Sequence, residues 1–155
     1  MFERGQKVSR VLVRYNDERA VPKIYEMLMP IFKKKIKKLK DDEKTFCYIM
    51  LLDEAVLSGG FKSYYVSDGA DYAFETLSAL GQLELDDLRD VFFESMQPFH
   101  GMVPKELVQR QLLITHNEEA CLPLWESLEK KYAIHREKLH SVLLEYVRDN
   151  ILQFR

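Results

Sequence analysis

Carboxylates are the most concentrated chemical groups in the middle of this chain. Eight Asp and Glu residues lie between positions 68 and 94, where the only basic residue is Arg89. They are Asp68, Asp71, Glu75, Glu84, Asp86, Asp87, Asp90 and Glu94. A row of carboxylates on a rigid scaffold can approach the charge spacing of a nucleic-acid backbone and bind a basic protein surface. The alternative is an ordinary solubilising face without a partner.

Three of these acids could also form a smaller chemical site. Asp68, Asp71 and Glu75 are spaced i, i+3 and i+7, so on a helix they would share one face. Such a row could bind a divalent cation or supply an acid–base pair to a small enzyme, and Asp53 and Glu54 are further candidates. In the competing interpretation, Asp68 and Asp71 cap a helix and complement its dipole, while Glu75 is solvated.

A second cluster combines small residues with aromatics. Its members are Ser58, Gly59, Gly60, Phe61, Tyr64 and Tyr65. A nucleophile elbow needs glycine on both sides of the serine, and neither glycine fingerprint of a phosphate loop is present. Paired glycines after a helix supply the positive φ that turns the chain. The segment is therefore predicted to be a short structural loop that joins two helices.

The remaining reactive side chains predict neither a metal site nor a cofactor. The four histidines lack ligand spacing, since His135 and His140 are five residues apart and point to different helix faces. Cys47 and Cys121 belong to no Cys-x-x-Cys pair and are interpreted as small buried hydrophobes of a reducing cytoplasm. A disulfide between them is left open.

Charge is segregated along the chain, although the net charge is only −2. Residues 1–40 carry twelve Lys and Arg against four Asp and Glu, whereas residues 41–100 carry three against thirteen. The basic part ends in the run Lys33–Lys40, which lacks aromatics for base stacking and arginines for bidentate contacts. The run is predicted to be a solvated helix end or to dock on the acidic segment, and nucleic-acid binding is the weaker alternative.

Apolar residues recur at helical spacing from Ala20 onwards, and no strand-like alternation follows. The sequence therefore predicts an all-α, single-domain bundle of about six or seven helices around a central apolar helix at residues 43–57. Pro30 is expected to break or kink the preceding helix around Met29. Residues 1–19 fit either a short strand or the start of a helix. The other helices are predicted from Ala20, over 68–80, over 86–96, from Pro104, from Pro123 and over 135–152.

The predicted organisation is a basic N-terminal segment, residues 1–40, whose helix packs on a domain formed by residues 41–155. No apolar run reaches the length of a membrane span, and the N-terminus lacks the apolar region of a secretory signal. A cytoplasmic location without membrane contact is expected.

The stretch from Asp53 to Leu80 resembles the DNA-mimic-protein-like family of bacterial domains, much of which has no assigned function. The similarity extends over residues 41–155, and Ser58 stands where the family usually has Asn. The residues that carry it are Glu54, Gly59, Gly60, Phe61, Tyr64, Tyr65, Gly69, Tyr72, Glu75, Ala79 and Leu80, followed by Tyr132, Leu139, Leu143, Tyr146 and Phe154.

This resemblance implies an all-helical domain without enzymatic activity, whose acidic surface occupies the DNA-binding site of a partner protein. The expected function is therefore a protein-interaction module for a basic partner such as a DNA-binding regulator, with no cofactor. The sequence leaves open whether the chain forms a homodimer. The alternative is a small enzyme with a carboxylate-based or metal-assisted site.

Overall fold

A computed structural model describes residues 2–154, and for residues 2–6 it describes the backbone alone. The regular structure of this part of the chain consists of helices. The prediction of an all-α fold is confirmed. The α-helices are α1 (Phe2–Arg14), α2 (Asp17–Lys35), α3 (Asp41–Tyr65), α4 (Ala73–Gln82), α5 (Asp86–Ser95), α6 (Leu107–His116), α7 (Glu118–His135) and α8 (Leu139–Asp149). Short 3₁₀ helices cover Ile36–Lys38, Asp68–Tyr72, Gln97–Phe99 and Ile151–Gln153.

Residue contacts group the chain into two compact units. The first unit comprises residues 1–47 and 138–155 and contains α1, α2, the start of α3 and α8. The second unit comprises residues 48–137 and contains the rest of α3 and α4 to α7. The sequence predicted a different division, into a basic segment of residues 1–40 and a domain of residues 41–155. That division stays a prediction.

The first unit is built on α2, which packs against α1 and α8. The edge of the Phe154 ring meets Phe46 at a centroid distance of 6.1 Å, and the Tyr146 hydroxyl donates a hydrogen bond to the Asp42 carboxylate. The buried apolar residues of this unit are Val8, Ala20, Val21, Ile24, Leu28, Met29, Phe32, Leu39, Phe46, Cys47, Leu139, Leu143, Leu144, Val147 and Phe154.

Helix α2 departs from the sequence prediction at both of its prolines. It begins at Asp17, because the Asn16 side chain accepts a hydrogen bond from the Arg19 amide and caps the first turn. Pro22 therefore lies beyond that turn. Of the break or kink expected around Met29, the break was wrong, since the helix continues through Pro30 to Lys35. Burial of the apolar residues on either side of Pro30 offsets the cost of the missing amide donor.

The second unit is organised around α5, which packs against α7 and α4. Its core is rich in aromatic rings, and the Tyr65 ring stacks on Trp125 at a centroid distance of 5.3 Å. The Tyr64 ring meets Phe92 edge-on at 5.5 Å. These rings are fully or almost fully buried. Tyr64 and Tyr65, which the sequence analysis placed in a loop, therefore belong to the core.

The glycine pair produces a kink inside a helix, which corrects the loop predicted for Ser58 to Tyr65. Gly60 has φ 77° and ψ −170°, a combination open almost only to glycine, and helical structure resumes at Phe61. The Phe61 amide would be unpaired after the kink, but it donates to Glu129 Oε1 of α7 at 2.9 Å. Ser58 keeps a local backbone bond, from its hydroxyl to the Ala55 carbonyl at 3.1 Å.

The kink gives a stability prediction with a matched control. A Cβ at Gly60 would lie 2.0 Å from Glu129 Oε1, whereas a Cβ at Gly101, which also has a positive φ of 76°, meets nothing within 4 Å. We expect Gly60→Ala to lose about 1–3 kcal/mol through backbone strain and about 1–3 kcal/mol more because the Phe61 amide loses its partner. Gly101→Ala should lose only the strain, about 1–2 kcal/mol.

Urea unfolding of both variants measures these losses. Equal destabilisation of the two variants would show that the contact between Gly60 and Glu129 contributes nothing to stability.

Candidate functional site

Helix α5 has two faces of opposite character. Leu88, Val91 and Phe92 are buried on one face. The other face exposes four carboxylates, here called the α5 carboxylates: Asp86, Asp87, Asp90 and Glu94. The helical period produces this separation, since residues three, four or seven positions apart share a face. The α5 helix was predicted over residues 86–96, and the structure ends it at Ser95.

The α5 carboxylates meet few cations. Arg89 lies 3.8 Å from both Asp86 and Asp90, and His135 Nδ1 lies 3.6 Å from Asp87. All these side chains are more than one-third exposed, so water screens the pairs and each contributes little to stability. The outward face of α5 therefore keeps a strong excess of negative charge.

The other predicted acids occupy different positions. Asp68 is exposed on the 3₁₀ helix, and Glu84 is exposed in the link between α4 and α5. Glu75 is half-buried on α4, with its Oε2 atom enclosed by protein. Asp71 forms a hydrogen-bonded ion pair with Arg110 at 2.7 Å. The expected row of Asp68, Asp71 and Glu75 on one helix was wrong, because a 3₁₀ helix precedes α4 and separates them.

Arg110 is the residue that the sequence interpretation missed. It is fully buried on α6, and its guanidinium donates to four backbone carbonyls in addition to Asp71. The carbonyls are those of Tyr65 at 2.8 Å, Ser67 at 2.8 Å, Pro104 at 2.9 Å and Lys105 at 2.7 Å. One signal was available, since Arg110 is the only Lys, Arg, Asp or Glu within Leu107–His116.

These bonds explain how the irregular backbone before α4 is held. The carbonyl of Tyr65 ends α3 and that of Ser67 follows it. Ser67 also accepts the Ala70 amide at 3.3 Å, and Arg110 supplies charge-assisted donors to both carbonyls. Its planar group reaches acceptors on three segments at once, which the ammonium of a lysine could not reproduce. Arg110 thus positions the 3₁₀ helix that carries Asp68 and Asp71.

A buried polar group also anchors the end of α5. Ser95 Oγ lies 2.6 Å from the Tyr65 hydroxyl, and the Trp125 indole donates to the Ser95 carbonyl at 2.8 Å. Both partners are buried, so these bonds form away from competing water. The turn that carries Glu94 is therefore fixed from its inner side.

The carboxylate considered for catalysis at the end of the apolar helix has a structural partner. Asp53 is buried and receives a bidentate pair from Arg136, at 2.9 and 3.0 Å, together with the Tyr132 hydroxyl at 2.8 Å. Three donors thus hold the buried carboxylate in a fixed, charge-paired arrangement, which gives Asp53 a structural role. Glu54 is exposed. Among the side chains that the structure describes, those of residues 7–154, no three His, Cys, Asp or Glu gather closely enough to hold a metal ion.

Both cysteines are free thiols inside the protein, so the disulfide left open by the sequence is absent. Burial, with a smaller contribution from Glu43, raises the pKa of the Cys47 thiol well above its ordinary range. A thiol that keeps its proton is a poor nucleophile, which gives Cys47 a packing role.

Residues 37–150, more than half of the chain, match the model of the DMP19-like protein family. The chain belongs to the DMP19-like protein family. No curated protein sequence and no solved structure matches the chain. The α5 carboxylates, Arg110 and the Gly60 kink all lie inside the DMP19-like region, while α1 and α2 precede it.

The two units of this DMP19-like protein carry opposite charge. Residues 48–137 contain sixteen Asp and Glu against seven Lys and Arg, a net charge of −9, and the remaining residues carry +7. All six lysines of the Lys33–Lys40 run are exposed in the first unit. Docking of this run on the acidic segment stays a prediction. None of the helices within residues 2–154 combines the length and hydropathy that a bilayer crossing requires.

Arg110 provides a test of how the acidic segment is held. Arg110→Met keeps the length of the side chain but leaves buried carbonyls without donors, so we expect a loss of about 3–5 kcal/mol in the free energy of unfolding. Arg89→Met is the matched control, because its ion pairs are exposed, and it should change stability by about 0.5 kcal/mol or less. Thermal and urea unfolding measure both. A loss for Arg110→Met no larger than the control's would contradict this role.

The buried tyrosines predict sensitivity to alkali. Burial raises the pKa of Tyr64, Tyr65 and Tyr132 well above the ordinary value of 10.0, and for Tyr132 the Asp53 carboxylate adds to the effect. The folded protein therefore holds these protons while the unfolded chain releases them, so their contribution is complete below pH 10 and is lost as the pH rises above it.

Each buried tyrosine should lower the free energy of unfolding by about 1.4 kcal/mol per pH unit in that range. Urea titrations between neutral and strongly alkaline pH measure how steeply the free energy of unfolding falls with pH. Tyr65→Phe should make this slope shallower by about 1.4 kcal/mol per pH unit. A slope unchanged by Tyr65→Phe would contradict the assignment of this proton to Tyr65.

Proposed function

We propose that this protein is a non-enzymatic interaction module that binds a basic surface of a DNA-binding protein. The α5 carboxylates form the centre of the proposed interface, and the exposed Asp68 and Glu84 extend it. Asp71 and Glu75 contribute by shaping the segment rather than by direct contact. The observation that carries the proposal is the outward face of α5, where four carboxylates are exposed and cations are scarce.

The spacing of the α5 carboxylates supports a likeness to nucleic acid. At 1.5 Å of rise per residue, Asp86 to Glu94 spans about 12 Å, so the four charges average one per 3–4 Å of helix axis. One strand of duplex DNA carries a charge about every 3.4 Å. A protein that reads DNA phosphates with Lys and Arg could therefore accept this face in their place.

The rigidity of the face supports the proposal as well. α5 packs on α4 and α7, its last turn is anchored through Ser95, and Arg110 fixes the backbone that leads to α4. Charges that are already positioned lose little conformational entropy on binding. The net charge of −9 on residues 48–137 would also attract a basic partner before contact.

Family membership points in the same direction. The DMP19-like family takes its name from a DNA mimic protein, which suggests an interaction with proteins that bind DNA, and it is not a known enzyme family. The engagement of Asp53 by Arg136 weighs against the alternative of a carboxylate-based enzyme. A regulator that acts on DNA would place the interaction in the cytoplasm, which is part of the proposal.

Capture from an extract of the cells that make this protein tests the proposal. The immobilised full chain should retain a basic DNA-binding protein that rising NaCl or added duplex DNA releases. The variant Asp86→Asn/Asp87→Asn/Asp90→Asn should weaken that binding at least about tenfold, since three close charge pairs are lost.

A matched control separates a local interface from general charge. Glu106→Gln/Glu119→Gln/Glu126→Gln removes the same charge from exposed positions of the second unit outside residues 68–94, and should bind nearly as well as the wild type. Equal weakening by both triple variants, or retention of the partner by the Asp variant at full strength, would contradict the proposed interface.

A further inference from the structure

The acidic face of α5 also carries a large aromatic side chain. Phe93 is 58% exposed, although its neighbour Phe92 is fully buried. It follows Asp90 by three residues and Asp86 by seven, so its ring shares the face of these carboxylates. Leaving a phenylalanine in water forgoes much of the stabilisation that its burial would contribute.

A second exposed ring lies on the neighbouring helix. Phe74 of α4 is 41% exposed, and α4 packs against α5. The two helices are joined by residues 83–85, a connection short enough to make them antiparallel neighbours. The start of α4, with Phe74, therefore lies at the same end of the pair as the end of α5, with Phe93.

One contact fixes which sides of the two helices meet. A Cβ built on Gly81 would lie 3.3 Å from Arg89 Nη1, so Gly81 of α4 faces Arg89 of α5. Phe74 precedes Gly81 by seven residues and Phe93 follows Arg89 by four, and these spacings keep each ring on the side of its helix where that contact lies. The two rings therefore border one groove between α4 and α5.

Exposed aromatic rings would contribute nothing to a surface that reproduced only the charges of DNA. Phosphates form the outer surface of a duplex, and a protein contacts them with cations and hydrogen-bond donors. Aromatic side chains, in contrast, are enriched among the residues that dominate protein–protein binding energies, and a ring beside carboxylates can also receive an arginine on its face.

We propose that Phe74 and Phe93 are the aromatic anchors of the acidic face and that the partner inserts a basic amphipathic helix along the α4–α5 groove. Its apolar residues would lie on the two rings, and its flanking Lys and Arg would pair with Asp86, Asp90 and Glu94. Each of α4 and α5 is about 15 Å long, which matches about three turns of a partner helix. This inference rests on the proposed function and names the chemistry of the partner segment.

Two synthetic peptides of equal charge test this inference. The first is an amphipathic helix with Lys and Arg on both sides of a leucine stripe, and the second carries Gln at every leucine position. Fluorescence anisotropy with the full chain should show binding of the leucine peptide at least about tenfold tighter than binding of the Gln peptide.

Four proteins distinguish the contributions. In Phe74→Ala/Phe93→Ala, the preference for the leucine peptide should disappear while weak, salt-sensitive binding of both peptides remains. The control Met102→Ala removes a side chain that is 75% exposed in the second unit but outside α4 and α5, and should retain the preference. Asp86→Asn/Asp87→Asn/Asp90→Asn should weaken binding of both peptides. Both rings are partly exposed, so the Phe variant should lose only a few degrees of melting temperature and still unfold in one cooperative transition.

The results separate this inference from the proposed function. Equal binding of the two peptides by the wild type, or an unchanged preference in the Phe variant, would overturn the aromatic anchors while leaving the capture experiment to judge the acidic interface. Failure of the wild type to bind either peptide would overturn the inference as well. A wild-type dimer in sedimentation that the Phe variant converts to a monomer would show that the rings meet a second copy instead, which also contradicts it.

Discussion

The bonds donated by buried Arg110 are the constraint on which the acidic part of the second unit depends. A fully buried guanidinium is costly to desolvate, and here its donors are satisfied by Asp71 and by backbone carbonyls of residues 65, 67, 104 and 105. Those carbonyls lie at the C-terminal end of α3 and in the irregular segments that lead to α4 and α6, where a helix leaves carbonyls without helical amide partners. One side chain on α6 thus supplies hydrogen-bond donors to two irregular segments, the one before α4 and the one before α6.

Side chains that hydrogen-bond to groups on other helices are found elsewhere in the second unit as well. Glu129 on α7 accepts the Phe61 amide at the kink, Trp125 on α7 donates to the end of α5, and Arg136 next to α7 holds Asp53. Long polar side chains of α6 and α7 therefore secure α3, α5 and the joints between them. Of the seven Lys and Arg in this unit, Arg110 and Arg136 are each paired with an aspartate, so the net charge of −9 is carried by the remaining side chains.

Sequence reasoning worked where local pattern decides structure. The all-α class and the bounds of α5 follow from apolar spacing and from acids that favour a helix start, and these forces act within a few residues. It failed where distant residues decide. Pro30 remains helical because its neighbours are buried, and Asp71 is paired because Arg110 comes 39 positions later in the chain. The partners of Arg110 are mostly carbonyls, which leave no mark in a sequence.

The kink at Gly60 links two positions that are 69 residues apart in the sequence. Any side chain at position 60 needs the space that the Glu129 carboxylate occupies, and a shorter residue at 129 would leave the Phe61 amide without its acceptor. A substitution at either position alone therefore lowers the stability of the fold. Positions 60 and 129 should therefore vary together among related sequences, as a pair in which Gly and Glu are kept or replaced jointly.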